Sequence, residues 1–220
     1  MPILNMIYWA TWWGGWWRQP WANTILYTPL KLDLLDHWPN SITLNNTGVS
    51  LVSGQASIDV WYFDGSSFLS WWALSNLWDF HVSVWVKLLS MSGSQFIFAW
   101  VNSGDIFLGY QTAWWDKIWI GRNGIAWDNT TSYTLSTDTW YLLSFDRQWS
   151  TLTFSINTNV IWTHNNTRSY PTAWWFEIGN DGAWNAITWY MSDVIVESAW
   201  WTEQERTDYY DQTKWNYWIS

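Results

Sequence analysis

The sequence predicts an all-β fold, an antiparallel two-sheet β-sandwich that ends in one short helix. Short runs of alternating apolar and polar residues recur along the chain, as they do in strands with one buried face. Only 12% of the residues are charged while serine, threonine and asparagine are abundant, which is typical of β-rich modules. One helix-start signal lies near the C-terminus. Roughly a dozen strands followed by one helix indicate a sandwich.

The predicted strands all alternate with period two and are bounded by turn residues. They are residues 24–30, 58–63, 80–88, 95–101, 105–110, 140–147, 151–156 and 188–197. Turns at residues 102–104 and 148–150 join two pairs of these strands into hairpins. Alternation places the following side chains on buried sheet faces: Phe80, Val82, Val84, Val86, Leu143, Phe145, Leu152, Phe154, Ile156, Val194 and Val196.

The helix is predicted from the segment Thr202-Glu203-Gln204-Glu205, which has the spacing of a capping box. The Thr202 hydroxyl accepts a hydrogen bond from the third backbone N–H of the helix, and the Glu205 side chain reaches back to the cap. The helix is expected to run to about Gln212, the last residue before the Thr-Lys-Trp segment.

Charge and composition exclude several classes of partner. The net charge is −9 with only 9 lysines and arginines, so neither nucleic acid nor an anionic membrane is an expected partner. There is no cysteine, hence no disulfide and no cysteine-based metal site. No run of eighteen apolar residues predicts membrane insertion. The first residues lack the basic start of a signal peptide. The predicted location is nevertheless extracellular, at a cell surface or in a virion.

Tryptophan is the most anomalous feature of the composition, with 28 residues against 12 glycines. Residues 1–22 form a low-complexity linker or tail that includes Trp12-Trp13-Gly14-Gly15-Trp16-Trp17, and residues 23–220 form the folded domain. Further tryptophans stand at predicted turns, where glycine is the usual residue. The pattern predicts a source that reads the UGA codon as glycine, so that many tryptophan letters stand for glycine. The alternative is a chain that is truly rich in tryptophan.

Four segments, in order, resemble the laminin-G-like, concanavalin A-like jelly-roll modules of bacterial surface and phage proteins. They are residues 62–69, with an aromatic-Asp-Gly motif, residues 80–87, residues 139–143, with Thr-Trp-Tyr, and residues 187–194. The resemblance covers about residues 24–220 and implies a jelly-roll sandwich. It also implies genuine tryptophans at Trp85 and Trp140, and places Trp61 and Trp189 where the family commonly has glycine. Trp201, ahead of the helix, is also expected to be a genuine tryptophan.

A sugar-binding site is predicted between residues 110 and 131, where an aromatic ring lies among planar polar groups. Trp127 would stack on a sugar ring, polar side chains would hydrogen-bond its hydroxyls, and an aromatic residue closes the neighbouring strand. The candidate residues are Tyr110, Arg122, Asn123, Trp127, Asp128 and Asn129. The alternative is a loop whose tryptophan covers the edge of the core.

Catalysis is not predicted, because related jelly-roll glucanases need acidic residues clustered on one strand. Asp193 and Glu197 lie too far apart for such a pair, and Asp193 is expected at the structural acidic position of the family. His81 is expected to be a sheet-face residue. Oxygen ligands for calcium are available at Asp128 and Asn129, and in a turn at residues 180–181, although such residues also form turns without any metal. No other cofactor is expected.

The sequence therefore predicts a non-catalytic, lectin-like carbohydrate-binding or adhesion module of a cell-surface or phage structural protein. Its expected partners are a glycan or cell-surface polymer and other virion or surface proteins. Two alternatives remain open: a glycoside hydrolase of the same fold, and a structural domain without a ligand.

Overall fold

A computed structural model of the chain describes residues 24–28, 44–72, 79–90, 94–100, 106–111, 117–122, 125–130, 133–165, 175–179 and 187–219. The strands are β1 Thr24–Thr28, β2 Asn45–Thr47, β3 Ser50–Val52, β4 Val60–Asp64, β5 Phe68–Trp72, β6 Phe80–Leu88, β7 Ser94–Trp100, β8 Ile106–Gln111, β9 Lys117–Arg122, β10 Ile125–Thr130, β11 Trp140–Gln148, β12 Thr151–Ile156, β13 Asn159–Asn165, β14 Trp175–Ile178 and β15 Thr188–Glu197. They are followed by helix α1 Glu203–Thr213 and a 3₁₀ helix Lys214–Tyr217. The predicted tail, residues 1–22, lies outside the described residues.

The strands form two antiparallel sheets, which confirms the predicted all-β sandwich with a short C-terminal helix. The eight-stranded sheet has the order β13-β12-β11-β6-β15-β4-β3, and β1 pairs with the far end of β15 beside β4. The seven-stranded sheet has the order β10-β9-β8-β7-β14-β5-β2. Both predicted hairpins are present, as β7–β8 and β11–β12. The turn of the first hairpin lies outside the described residues.

The core lies between the two sheets and is built from alternate residues of each strand. Every side chain that alternation assigned to the core is buried, from Phe80 on β6 to Val196 on β15. The seven-stranded sheet contributes Leu69, Phe176 and Ile178 to the same cluster. Burial of this apolar surface is the main source of stability, at about 25 cal/mol for each Å² removed from water.

A β-bulge in β15 at Asp193 shifts which residues face the core. Before it Trp189 and Met191 face inward, and after it Val194 and Val196 do so. Asp193 has φ +48°, and its carboxylate accepts a 2.7 Å hydrogen bond from the buried hydroxyl of Tyr217. Burial, followed by the nearby Asp193 charge, raises the pKa of Tyr217 well above its usual value. Asp193 is therefore a structural residue, as the resemblance implied.

Helix α1 begins at the predicted capping box. Thr202 Oγ1 accepts a hydrogen bond from the Glu205 backbone N–H, and the Thr202 backbone N–H donates to the Glu205 carboxylate at 2.6 Å. The helix ends one residue beyond the expected Gln212. Its side chains are too polar to drive burial by a continuous apolar stripe, so specific contacts must hold it on the protein.

Those contacts converge on Asp146, a buried carboxylate on the outer face of the eight-stranded sheet. Its two oxygens accept from the Trp201 backbone N–H at 2.8 Å and from the Arg206 guanidinium at 3.0 Å. His81 Nδ1 lies 2.8 Å from the same carboxylate, and the Trp201 ring stacks on the His81 ring at 3.8 Å. Trp201 also donates its indole N–H to Glu197. This Asp146 network fixes the start of the helix.

A row of serines lies across three neighbouring strands on the same outer face. Ser83 of β6 pairs with Ser144 of β11, which pairs with Ser155 of β12. All three are fully buried, and none of their hydroxyls has a hydrogen-bond partner among the described residues. Small side chains leave room for a close covering layer, at the cost of three unsatisfied polar groups.

Two exposed tryptophans occupy backbone conformations that favour glycine. Trp149 has φ +56° and is the first of two residues that join β11 to β12, the position that glycine takes in type II′ turns. Trp218 has φ +58°, and hydrogen bonds from Trp218 N to Trp215 O and from Ile219 N to Lys214 O form a Schellman motif around it. Their side chains are 78% and 63% exposed.

Three other tryptophans donate hydrogen bonds from their indole N–H groups. Trp85 donates to the Thr213 hydroxyl at 3.1 Å, Trp140 to the Gln55 carbonyl at 3.0 Å, and Trp201 to Glu197 at 2.7 Å. Buried tryptophans usually have such partners. Trp61 and Trp189, where the resemblance places glycine, are buried in the core, so glycine there would leave cavities.

Candidate functional site

The C-terminal helices lie on one of the two outer faces of the sandwich. Helix α1 and the 3₁₀ helix cover much of the eight-stranded sheet, where Tyr217 stacks on Trp85 at 4.3 Å and Arg206 reaches Asp146. The described hydrogen bonds and ring contacts of the two helices go to that sheet or to the loop that holds Ser57. Within the described part of the chain, both helices therefore lie on the eight-stranded sheet.

Three acidic residues of the eight-stranded sheet bind side chains of the C-terminal helical segment. Asp193 accepts from Tyr217, Glu197 accepts from Trp201, and Asp146 binds Arg206. All three carboxylates and His81 are buried on the helix-covered face. A substrate would have to displace the helix to reach them, so these residues do not form a catalytic pair. Sequence reasoning identified His81 as a sheet-face residue but missed its partners.

The predicted sugar-binding residues fall on three consecutive strands at one edge of the seven-stranded sheet. Tyr110 is on β8 opposite Ile118, and Arg122 is on β9 between Ile106 and Ile125. Trp127, Asp128 and Asn129 are on β10, in a stretch where the β9–β10 register shifts. Asn123 lies outside the described residues. The fold thus brings these residues to one sheet edge, and their ligand contacts remain a prediction.

A second group, which the sequence did not reveal, lies at the centre of the same sheet. Phe176 and Ile178 of β14 face the core, so Glu177 between them faces outward. Ser70 of β5 is its register partner. Both Glu177 and Ser70 are nevertheless more than nine-tenths buried. A carboxylate is expensive to bury, so polar partners are expected to hold Glu177 in this position.

Register extends this position into a row across the sheet. Asn45 on β2 pairs with Ser70, and Glu177 pairs with Ala99 on β7. Ala99 pairs with Phe107 on β8, which pairs with Gly121 on β9, next to the predicted Arg122. Glu177 and the predicted edge residues therefore belong to one sheet, but the register row that contains Glu177 reaches Gly121 and includes neither Tyr110 nor Arg122. β14 has only four residues, so the alternation of apolar and polar residues in the sequence could not have identified Glu177.

At one end of the sandwich, the predicted Asp64-Gly65 turn is closed by local hydrogen bonds. The Asp64 carboxylate accepts from the backbone N–H and the hydroxyl of Ser66 at 2.8 and 2.9 Å. These bonds, the backbone one first, lower the pKa of Asp64 below its usual value. Gly65 has φ +88°, which explains glycine at that position.

The described residues contain neither a cluster suited to a metal ion nor a helix suited to a membrane. No three histidine, aspartate or glutamate side chains among the described residues are grouped to hold a metal ion. The second possible calcium position, at residues 180–181, lies outside them. None of the described helices is long and apolar enough to cross a membrane.

Comparison with known proteins finds relatives in structure but not in sequence. No family model matches the chain, and neither does any curated protein sequence. Domain 4 of AbnA, a GH43 extracellular arabinanase from Geobacillus stearothermophilus, solved with arabinotriose, matches with a TM-score of 0.71 and 16% identity over 84% of this chain and 97% of that domain.

Two toxin domains are similar to a comparable degree. The binding domain of Paraclostridial Mosquitocidal Protein 1 matches with a TM-score of 0.72 and 13% identity over 86% of this chain. The botulinum neurotoxin serotype D binding domain matches with a TM-score of 0.69 and 12% identity, also over 86%. This chain spans 52% of the length of each. At these identities the likeness shows a shared β-sandwich fold.

Proposed function

We propose that this protein is a non-catalytic carbohydrate-binding module that holds its ligand on the outer face of the seven-stranded sheet. The observation that carries the proposal is the buried, outward-facing Glu177 beside Ser70 at the centre of that face. A carboxylate and a hydroxyl on a largely pre-formed surface suit the hydroxyl groups of a sugar. The opposite face is occupied by the helix and its Asp146 network.

The structural neighbours support a glycan as the ligand. One was solved with arabinotriose, and two botulinum binding domains are described as interacting with ganglioside molecules or in complex with SialylT. This chain matches 51% and 52% of the two botulinum chains but 97% of the arabinanase domain, so the arabinanase domain gives the stronger support. We further propose that residues 23–220 are a laminin-G-like module of an extracellular, cell-surface or virion protein, with residues 1–22 as its linker.

The predicted edge residues would form a second part of the site at the β8–β9–β10 edge of the same sheet. Trp127 would supply the stacking ring, and Arg122, Asn123, Asp128 and Asn129 would bind hydroxyls on either side of it. Tyr110 closes the neighbouring strand.

Glycan-array binding followed by calorimetry tests the proposal. Glu177→Gln and Trp127→Ala should each weaken binding of the best array ligand about tenfold or more, a loss of about 1.4 kcal/mol. Glu203→Gln is the matched control, because Glu203 is an exposed carboxylate on the helix. Release of reducing sugar from the bound glycan would favour the hydrolase alternative. Failure to bind any glycan would overturn the proposal in favour of a structural domain.

We also propose that Trp149 and Trp218 stand for glycine in the natural protein. Positive φ, high exposure and a glycine-type turn or cap coincide at both positions. Trp85, Trp140 and Trp201 are proposed to be genuine, since each indole donates a hydrogen bond. Trp215 has no such backbone signature. The codons test this directly: UGA is expected at 149 and 218, and UGG at either position would contradict the proposal.

A further inference from the structure

A row of residues crosses five strands on the outer face of the eight-stranded sheet. Ser50 of β3 pairs with Tyr62 of β4, which pairs with Tyr190 of β15. Tyr190 pairs with Lys87 of β6, and Lys87 with Trp140 of β11. Trp140 is buried under Tyr217 of the 3₁₀ helix, whereas Tyr62 and Tyr190 are partly exposed and the side chain of Lys87 is 13% exposed. The row therefore emerges from beneath the helical cover.

The two tyrosine rings form a small platform. Their centroids are 5.5 Å apart, comparable to the length of one sugar residue, and their planes are inclined by 45°. Lys87 stands beside them with its ammonium 5.6 Å from the centre of the Tyr190 ring. Because the row lies in one register across neighbouring strands, the backbone fixes this spacing.

Polar groups surround the platform at several positions. Lys87 Nζ donates to Gln55 Oε1 at 3.1 Å and lies 4.0 Å from the exposed carboxylate of Asp138. One register step along the strands, Asp64 pairs with Thr188. An ammonium group thus lies beside the Tyr190 ring, with an amide and a carboxylate next to it, and a second carboxylate and a hydroxyl lie two residues along the strands. This combination of apolar faces and oriented polar groups is typical of small-ligand sites.

We propose that the platform formed by Tyr62, Tyr190, Lys87, Gln55 and Asp138 is a second glycan-binding surface, selective for neutral sugars. This inference rests on the proposed function. Sugar C–H faces pack on the tyrosine rings while sugar hydroxyls bind Gln55, Lys87 and Asp138. The two exposed carboxylates and a net charge of −9 disfavour acidic sugars.

The position of this second surface suits the binding of a polymer. It lies on the opposite sheet from Glu177, so the two surfaces can engage two glycan chains at once, and binding at both raises the avidity for a polymer. None of its five residues is a tryptophan.

Solution NMR of the full chain with ¹³C-labelled tyrosine rings tests this, with arabinotriose, cellotriose and 3′-sialyllactose as probes. At least one neutral trisaccharide should shift the Tyr62 and Tyr190 ring signals, and sialyllactose should not. Tyr62→Ala/Tyr190→Ala should weaken binding at this surface about tenfold, whereas Tyr62→Phe/Tyr190→Phe should stay within about twofold. Glu177→Gln should leave the tyrosine shifts unchanged.

The outcomes separate the two proposals. If a trisaccharide binds in a Glu177-dependent way and the Tyr62 and Tyr190 signals stay still, the second surface is refuted while the proposed function stands. Equal binding of sialyllactose at the tyrosines overturns the neutral-sugar selectivity. If no trisaccharide binds anywhere, both proposals fail for these sugars. The wild-type titration and the phenylalanine pair decide the question even if the alanine pair does not fold.

Discussion

The C-terminal end of the 3₁₀ helix offers a sharp test of how backbone conformation and exposure act on stability. Trp215 and Trp218 are both 63% exposed and three residues apart, but only Trp218 has a positive φ. Trp218 is the C′ residue of a Schellman motif, whereas Trp215 lies within the 3₁₀ helix. Replacing each with glycine removes the same exposed side chain from two different backbone conformations.

The expected changes in the free energy of unfolding follow from the two backbone conformations. A residue with a Cβ in the left-handed region costs roughly 1–2 kcal/mol, and glycine avoids most of this cost. Trp218→Gly should therefore raise the free energy of unfolding by about 1 kcal/mol, which is roughly 2–4 °C in Tm for a domain of this size. Trp215→Gly should lower it by about 1 kcal/mol, the usual cost of glycine inside a helix. It also removes the contact between the Lys214 ammonium and the Trp215 ring, 5.2 Å from its centre.

Urea unfolding and thermal melts of the two variants measure the difference, and Trp149 provides a repeat at an independent turn. Trp149→Gly should stabilise by a similar amount, because its φ is +56° and its N–H can still donate to Asp79. Trp149→Ala keeps a Cβ and removes the indole, so it should gain much less. If Trp215→Gly stabilises as much as Trp218→Gly, or Trp149→Ala as much as Trp149→Gly, removal of an exposed indole explains the gain and the backbone reasoning is refuted.

Three further predictions concern the helix-covered face. Ser144→Ala should raise the free energy of unfolding by about 1 kcal/mol in urea titrations, because it removes a buried hydroxyl that has no described partner, whereas Ser144→Leu should lower it. Asp146→Ala should cost about 3–5 kcal/mol, since it leaves the buried Arg206 without its carboxylate, and loss of helical circular dichroism at lower temperature would report it. Tyr217→Phe should be less stable at neutral pH. Above about pH 10 the wild type should lose stability faster than this variant, because unfolding releases a proton from a tyrosine whose pKa is raised in the folded state; parallel alkaline melting curves would contradict this.

Much of the fold could be predicted from local patterns. β6 has the bounds that alternation predicted, residues 80–88, and β15 covers residues 188–197 as expected. The capping box at Thr202 placed the helix start because its hydrogen bonds join residues three positions apart. Each of these features is fixed by residues that are close in the chain, so the sequence pattern carries them directly.

The structure gives the strand positions of most, but not all, residues of the predicted site. Five of its six residues lie on the three consecutive edge strands β8, β9 and β10, while Asn123 lies outside the described residues. Glu177 was missed because β14 is only four residues long, too short for periodicity to reveal a strand. Tyr62 and Tyr190 were within predicted strands, but their pairing depends on β4 and β15 being neighbours, which local patterns do not determine.

By itself, the sequence determined eight of the fifteen described strands, the start of the helix, the core side chains on those strands and the acidic, cysteine-free character of the chain, because each depends on local periodicity, a short capping motif or composition. Only the tertiary structure decided that His81, Asp146, Trp201 and Arg206 meet, although Asp146 and Arg206 are 60 residues apart. It alone decided which sheet face the helix closes and which tryptophans have positive φ. Contacts between distant residues and backbone angles at turns arise from how the strands are ordered in the sheets, and that order is set by the global burial of apolar surface, not by any local signal.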